Sequence, residues 1–141
     1  KQCKRHQMIR YSNINKQPLF LIERLGKKKI NKRYDLTPED NFLQVCYLNL
    51  QKGMSVQPHL HLKNIKKTTK SSEAWILISG SIEATFFDID KSKLYRTILK
   101  KGDISVLFNG GHSFKSLTKN TKIFEIKNGP YLGSQKEKEN F

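Results

Sequence analysis

Past residue 40 the chain is a succession of short apolar runs cut by turns rich in Gly, Asn and Asp. The runs are "NFLQVCYLNLQ" (41–51), "SVQPHLHL" (55–62), "EAWILISG" (73–80), "SIEATFFDI" (81–89), "LYRTILK" (94–100), "ISVLF" (104–108), "HSFKSL" (112–117) and "TKIFEIK" (121–127), with "PLFLIERL" (18–25) before them. No amphipathic helical period joins them, and about eight or nine such strands at regular spacing predict an all-β, antiparallel sandwich or barrel. The turn Ser79-Gly80-Ser81 reads as a hairpin between two strands. Residues 1–17 read as a polar arm or edge element, 26–40 as a basic connection, and 132–141 as a mobile charged tail. The 141 residues suffice for one domain with a real core.

Composition narrows the setting. No stretch approaches the roughly 18 apolar residues of a membrane span. The opening "KQCKRHQMIRYSN" has no apolar core of a signal peptide. Of the two cysteines, Cys46 sits in an apolar run and reads as a buried free thiol; with Cys3 it makes no disulfide framework, so a cytoplasmic, reduced location is expected. The net charge of +15 points towards polyanions. The basic residues are scattered, however, and no nucleic-acid motif is visible, so no specific nucleic-acid partner is expected.

Three of the four histidines fall into one pattern with a carboxylate. His59 and His61 stand one residue apart, on the same face of a strand. Glu73 opens a later run and shares a face with Trp75 and Leu77. His112 follows the turn "NGG" and shares a face with Phe114 and Ser116. Three imidazoles and a carboxylate suit one divalent transition metal, Fe, Mn, Ni or Zn, and leave open positions on an octahedral ion. His6 reads as an ordinary polar histidine. Trp75 and Phe114 read mainly as core, yet their shared faces with ligands make them candidates to touch a substrate. Glu125 and Lys127 alternate with Phe124 and Ile126. If the apolar pair faces the core, both charges face water; if the strand is reversed, they line the pocket and can hold a polar substrate or move a proton. Tyr131, after Gly129-Pro130, is a third candidate acid–base group that would fold over the rim. Lys63, Lys66, Lys67 and Lys70, beside the proposed mouth, fit an anionic ligand.

These residues resemble the cupin superfamily. Its first motif is matched by Gly53, five residues, His59-Leu60-His61, then Glu73, six residues and Gly80; eleven residues separate His61 from Glu73, where the family has three or four. Its second is matched by Gly102, five residues, Phe108-Asn109-Gly110 and His112, with Phe108 in place of proline and the histidine one position early. The resemblance covers residues 41–131, and "FEIKNGPY" (124–131) is similar to small single-domain cupins found near surface-polysaccharide genes. It implies a double-stranded β-helix jelly roll, a homodimer, and a metal held by His59, His61, Glu73 and His112. The expected function is metal-dependent chemistry on a sugar-related small molecule, an isomerase, epimerase or dioxygenase reaction; the alternative is a non-catalytic carbohydrate-binding or sensing module.

Overall fold

The computed structural model describes residues 7–24 and 32–141. Cys3, His6 and the basic residues Lys27, Lys28 and Lys29 lie outside the described residues. The chain is all-β and antiparallel. Strands β1 (Gln7–Tyr11), β2 (Pro18–Arg24), β8 (Asp103–Leu107), β5 (Glu73–Ser79) and β10 (Lys122–Lys127) form one sheet in the order β1-β2-β8-β5-β10. Strands β7 (Lys93–Lys100), β6 (Ser81–Phe87) and β9 (Gly111–Ser116) form a second, in the order β7-β6-β9. A separate ladder joins β3 (Lys32–Asp35) to β4 (Cys46–Asn49), and one helical turn, α1 (Ser134–Glu137), follows β10. Among the described residues no helix is long and apolar enough to cross a membrane.

Period-2 alternation explains how the sheets stack. Phe20 and Ile22 of β2, Trp75 and Leu77 of β5, and Ile82, Ala84 and Phe86 of β6 meet between the two sheets. Phe20 stacks on Phe86 with ring centroids 3.9 Å apart. The opposite face of the larger sheet, with Leu21, Ala74, Ile104 and Val106, is covered by Leu36 and Tyr34 before β4 and by Leu43 and Val45 beside it. The β3–β4 hairpin is therefore a third layer.

Several expectations change. Ser79-Gly80-Ser81 is no hairpin: β5 and β6 belong to different sheets, and the chain crosses between them at Gly80. Gly80 has φ +73°, and a Cβ there would lie 2.5 Å from Thr118 Oγ1 and 2.9 Å from Thr121 Cα, so only glycine makes the crossing. The strand expected over 41–51 shrinks to Cys46–Asn49, because Gln44 donates its amide to the carbonyls of Pro38, Glu39 and Asn41 and so ties the preceding residues into a turn. Cys46 is half-buried rather than buried. The basic connection contains β3. The histidine segment 55–62 forms no strand at all; with no neighbour to take its backbone N–H and C=O groups, alternation alone does not hold an extended ladder. The tail lies against the β6–β7 end of the smaller sheet: Lys91 Nζ meets Glu139 Oε1 at 2.7 Å, and the rings of Phe141 and Phe87 are 5.1 Å apart.

A buried carboxylate ties the amino-terminal strands to the smaller sheet. Asp88, at the end of β6, accepts from Ser12 Oγ (2.6 Å), Asn13 N (2.7 Å) and Ile89 N (2.7 Å). Burial pushes this carboxyl up, but those three bonds and the charge of Lys16 outweigh it and hold it below the usual range. A carboxyl depressed in the folded state contributes stability above its unfolded value, near about 3.9, and loses it as pH falls through the folded one. Asp88→Asn is accordingly expected to lower Tm at pH 7, with the gap from the parent unchanged down to about pH 5 and closing below about pH 4. Thermal melts across that range check it, and a gap independent of pH would contradict the assignment.

Candidate functional site

Three inward faces converge at one end of the sandwich. On β5, alternation places Glu73 inward with Trp75 and Leu77. On β9, His112, Phe114 and Ser116 pair with Phe86, Ala84 and Ile82 and so share their inward face. On β10, the register sets Lys127 opposite Glu73 and Glu125 opposite Trp75, which turns both charges inward and leaves Phe124 and Ile126 on the outer face. Of the two orientations open to this strand from its sequence, the one that puts both charges on the face of Glu73 is realised, but only Lys127 borders the cavity, while Glu125 is exposed beside it.

The centre is the buried carboxylate of Glu73. Its Oε1 accepts from the indole N–H of Trp75 and lies 3.5 Å from His112 Nε2. Its Oε2 lies 3.2 Å from Lys127 Nζ, which also meets Glu125 Oε1 at 2.8 Å. Burial pulls the His112 imidazole down against the upward pull of Glu73, so at neutral pH it faces the carboxylate uncharged. The hydrogen bond with Glu125, helped by Glu73 and opposed by burial, raises Lys127. The bond from Lys127 lowers Glu125, again against burial. The cluster thus offers an anionic carboxylate, a neutral imidazole and an ammonium within one hydrogen-bonded group.

Trp75 is the wall behind it, edge-on to His112 (4.9 Å) and Phe114 (5.0 Å). It is 0% exposed, so it positions Glu73 and His112 and does not itself touch a ligand, contrary to the expectation from its shared face. Phe114 is half-exposed and stays available for contact. In front of the cluster lies a cavity of about 590 Å³, bordered by Glu73, His112, Lys127, Lys70, Asp88 and the tail residues 137–141. Tyr131 is exposed and does not border it; Lys138 and Phe141 occupy the rim instead. No spacing in the sequence marked Asp88 or the tail for this position; the acidic Glu137 and Glu139 in a very basic chain were the available signal.

His59 and His61 are not part of this group. Their rings contact each other, 5.2 Å between centroids, and both are exposed. Among the described residues no three of His, Cys, Asp and Glu come together as a metal site. Glu73 and His112 have the right donor chemistry for a divalent transition ion, but two donors with an ammonium on the carboxylate fall short of the three or four such an ion takes. One copy in this conformation therefore does not fit the metal. Of the loop lysines, Lys70 borders the cavity, while Lys67 and Lys70 also border a groove of about 550 Å³ beside Pro38 and Asn41. No protein family, curated protein or solved structure matches the chain.

Proposed function

We propose that the protein binds a polar, sugar-like small molecule in the cavity over Glu73, His112 and Lys127 and performs acid–base chemistry on it there. The observation that carries this reading is the contact set of Glu73, with His112 at 3.5 Å and Lys127 at 3.2 Å, opening onto a cavity of ligand size. A hydroxyl or carbonyl oxygen placed against Lys127 Nζ would be held and polarised by the ammonium, while a hydroxyl donor would find the Glu73 carboxylate. The border carries Lys70, Lys91, Lys127 and Lys138 beside Glu73, Asp88, Glu137 and Glu139, so its ammoniums can meet the phosphate of a phosphorylated or nucleotide-linked sugar while its carboxylates take sugar hydroxyls. Several proton-carrying groups in one cavity favour an enzyme over a passive binding module. The sheet orders also support a jelly roll of the cupin kind, since β8-β5-β10 faces β7-β6-β9 with the chain crossing between sheets after β5, β7, β8 and β9.

The test is a thermal-shift and calorimetric series with neutral hexoses, hexose phosphates and nucleotide-diphosphate hexoses. At least one anionic sugar is expected to raise Tm, and Lys127→Met is expected to weaken its binding by about 10–100-fold, the loss of one charged hydrogen bond. Binding that is equal in Lys127→Met, or no binding of any member of the series, would overturn the reading.

A further inference from the structure

We infer that Lys91 is a phosphoryl-binding subsite at the rim of the cavity and that the Glu139 carboxylate is its tethered stand-in, so that an anionic ligand takes the ammonium by displacing the tail. The inference rests on the reading of that cavity as the functional site.

One half of the contact is fixed. The turn Asp88–Ser92 joins β6 to β7 and is closed by Asp88 N to Ser92 O (2.8 Å), Lys91 N to Asp88 O (3.0 Å) and Ser92 N to Asp90 Oδ1 (2.9 Å). Its base is anchored, since the buried Asp88 carboxylate accepts from Ser12 and Asn13. Lys91 stands at φ +70°, a left-handed conformation uncommon for residues other than Gly, Asn or Asp. Glycine would relieve the backbone at this point of the turn. Lysine there sets an ammonium on the border of the cavity.

The other half can move. Residues 137–141 border the same cavity, and two side chains hold them to the smaller sheet. Glu139 Oε1 meets Lys91 Nζ at 2.7 Å, and that ammonium keeps the carboxyl below its usual range. The Phe141 ring stands edge-on to Phe87 and lies over bare backbone at Gly111, where a Cβ would come 2.7 Å from Phe141 Cζ. Lys91 Nζ is also 5.6 Å from the centre of that ring, so one ammonium touches both the acid and the aromatic of the tail. Glu139 and Phe141 are exposed, and α1 buries no residue. The backbone N–H groups of 136–138 donate to Gly133 and Ser134, within the tail itself. An exposed ion pair and one aromatic contact are a weak hold, and neither sheet loses a ladder bond when it opens.

The partner distinguishes Lys91 from Lys127. Lys127 also meets carboxylates, but Glu73 and Glu125 stand on β5 and β10, whose pairing fixes them in place. Glu139 is carried by a segment outside both sheets and can be exchanged. A carboxylate and a phosphoryl group offer an ammonium the same bond, from a charged oxygen. The phosphoryl group brings about two negative charges against one, so it prevails once the rest of the ligand is held over Glu73, His112 and Lys127.

Calorimetry with inorganic pyrophosphate tests this on the full chain, comparing the parent with Glu139→Gln, Lys91→Met and the double variant. Glu139→Gln is expected to bind pyrophosphate about fivefold more tightly than the parent, because the competing carboxylate is gone. Lys91→Met is expected to weaken binding by about tenfold, and Glu139→Gln is expected to restore little of it in that background. A general effect of net charge would persist there, so the cycle separates the two. In a Cys3→Ser/Cys46→Ser background, a spin label on Asn140→Cys reports the tail. Pyrophosphate is expected to shift its spectrum to the mobile form given by Glu139→Gln/Phe141→Ala, which lacks both anchors. Equal affinity in parent and Glu139→Gln, a gain that survives Lys91→Met, no binding of pyrophosphate, or a label unchanged at saturation would each overturn the inference. Sugar binding that needs Lys127 but is indifferent to Lys91 and Glu139 would overturn it and leave the cavity reading standing. Exchange of pyrophosphate for Glu139 on Lys91, with no sugar bound by any variant, would uphold the subsite and strike the sugar reading.

Discussion

Phe86→Ala is expected to cost about 3–5 kcal/mol, a large part of the roughly 5–15 kcal/mol that a domain of this kind has in total. Phe86 is fully buried between the sheets, stacked on Phe20 at 3.9 Å and packed near Trp75 with centroids 6.3 Å apart. Two walls of any cavity left behind would be ring faces held by their own strands, which relax little, so the cost falls at the upper end for such a truncation. His112 is its cross-strand neighbour, so the loss also frees the site's back wall. Ligand affinity should therefore fall together with Tm, by roughly 10 °C or more for the latter. Thr85→Ala, one residue along β6 and turned away from the core, is the control and should change stability by about 0.5 kcal/mol or less. Urea unfolding with both variants checks this. A Phe86→Ala midpoint close to that of Thr85→Ala would mean the two sheets do not share this core.

Glu73→Gln is expected to weaken ligand binding on the order of a hundredfold while leaving the fold nearly as stable as the parent. Glutamine keeps the shape and keeps an oxygen to accept from the Trp75 indole, but it removes the charge to which Lys127 is bonded and against which His112 is set. Lys127 retains Glu125 at 2.8 Å, so no ammonium is stranded without a partner. The split between affinity and Tm distinguishes this residue from Phe86, where both fall. Calorimetry with the best anionic sugar of the thermal-shift series measures it. Equal affinity in parent and Glu73→Gln would show that the carboxylate serves packing only and would remove the centre from the proposed site.

What was legible in the sequence follows from period. Short apolar runs in 73–79 and 122–127 and near-alternation in 81–87, each bounded by turn residues, made those segments strands, and Gly80, Gly102 and Gly110 marked where the chain turns. The same alternation said which residues share a face, and Glu73 with Trp75, and His112 with Phe114, do so. Period carried no information on which sheet a strand joins, so the step at Gly80 read as a hairpin although β5 pairs with β8 and β10, and β6 with β7 and β9. Nor did it say which face of 122–127 turns inward. That was decided by pairing with β5, which sets Lys127 against Glu73.

The histidine segment marks the boundary between the two kinds of information. By itself the sequence determined an all-β chain, its turn positions, and a set of donors whose faces are compatible with one site. Only the tertiary structure decided that Glu73, His112, Lys127 and Glu125 form one cluster, and that His59 and His61 stand away from it. The physical reason is that side-chain direction along a strand is local, a consequence of φ and ψ, whereas adjacency between strands depends on which edges are free to take backbone hydrogen bonds. An edge can be filled from the same chain or from another, and the order of residues along the chain is the same in both cases.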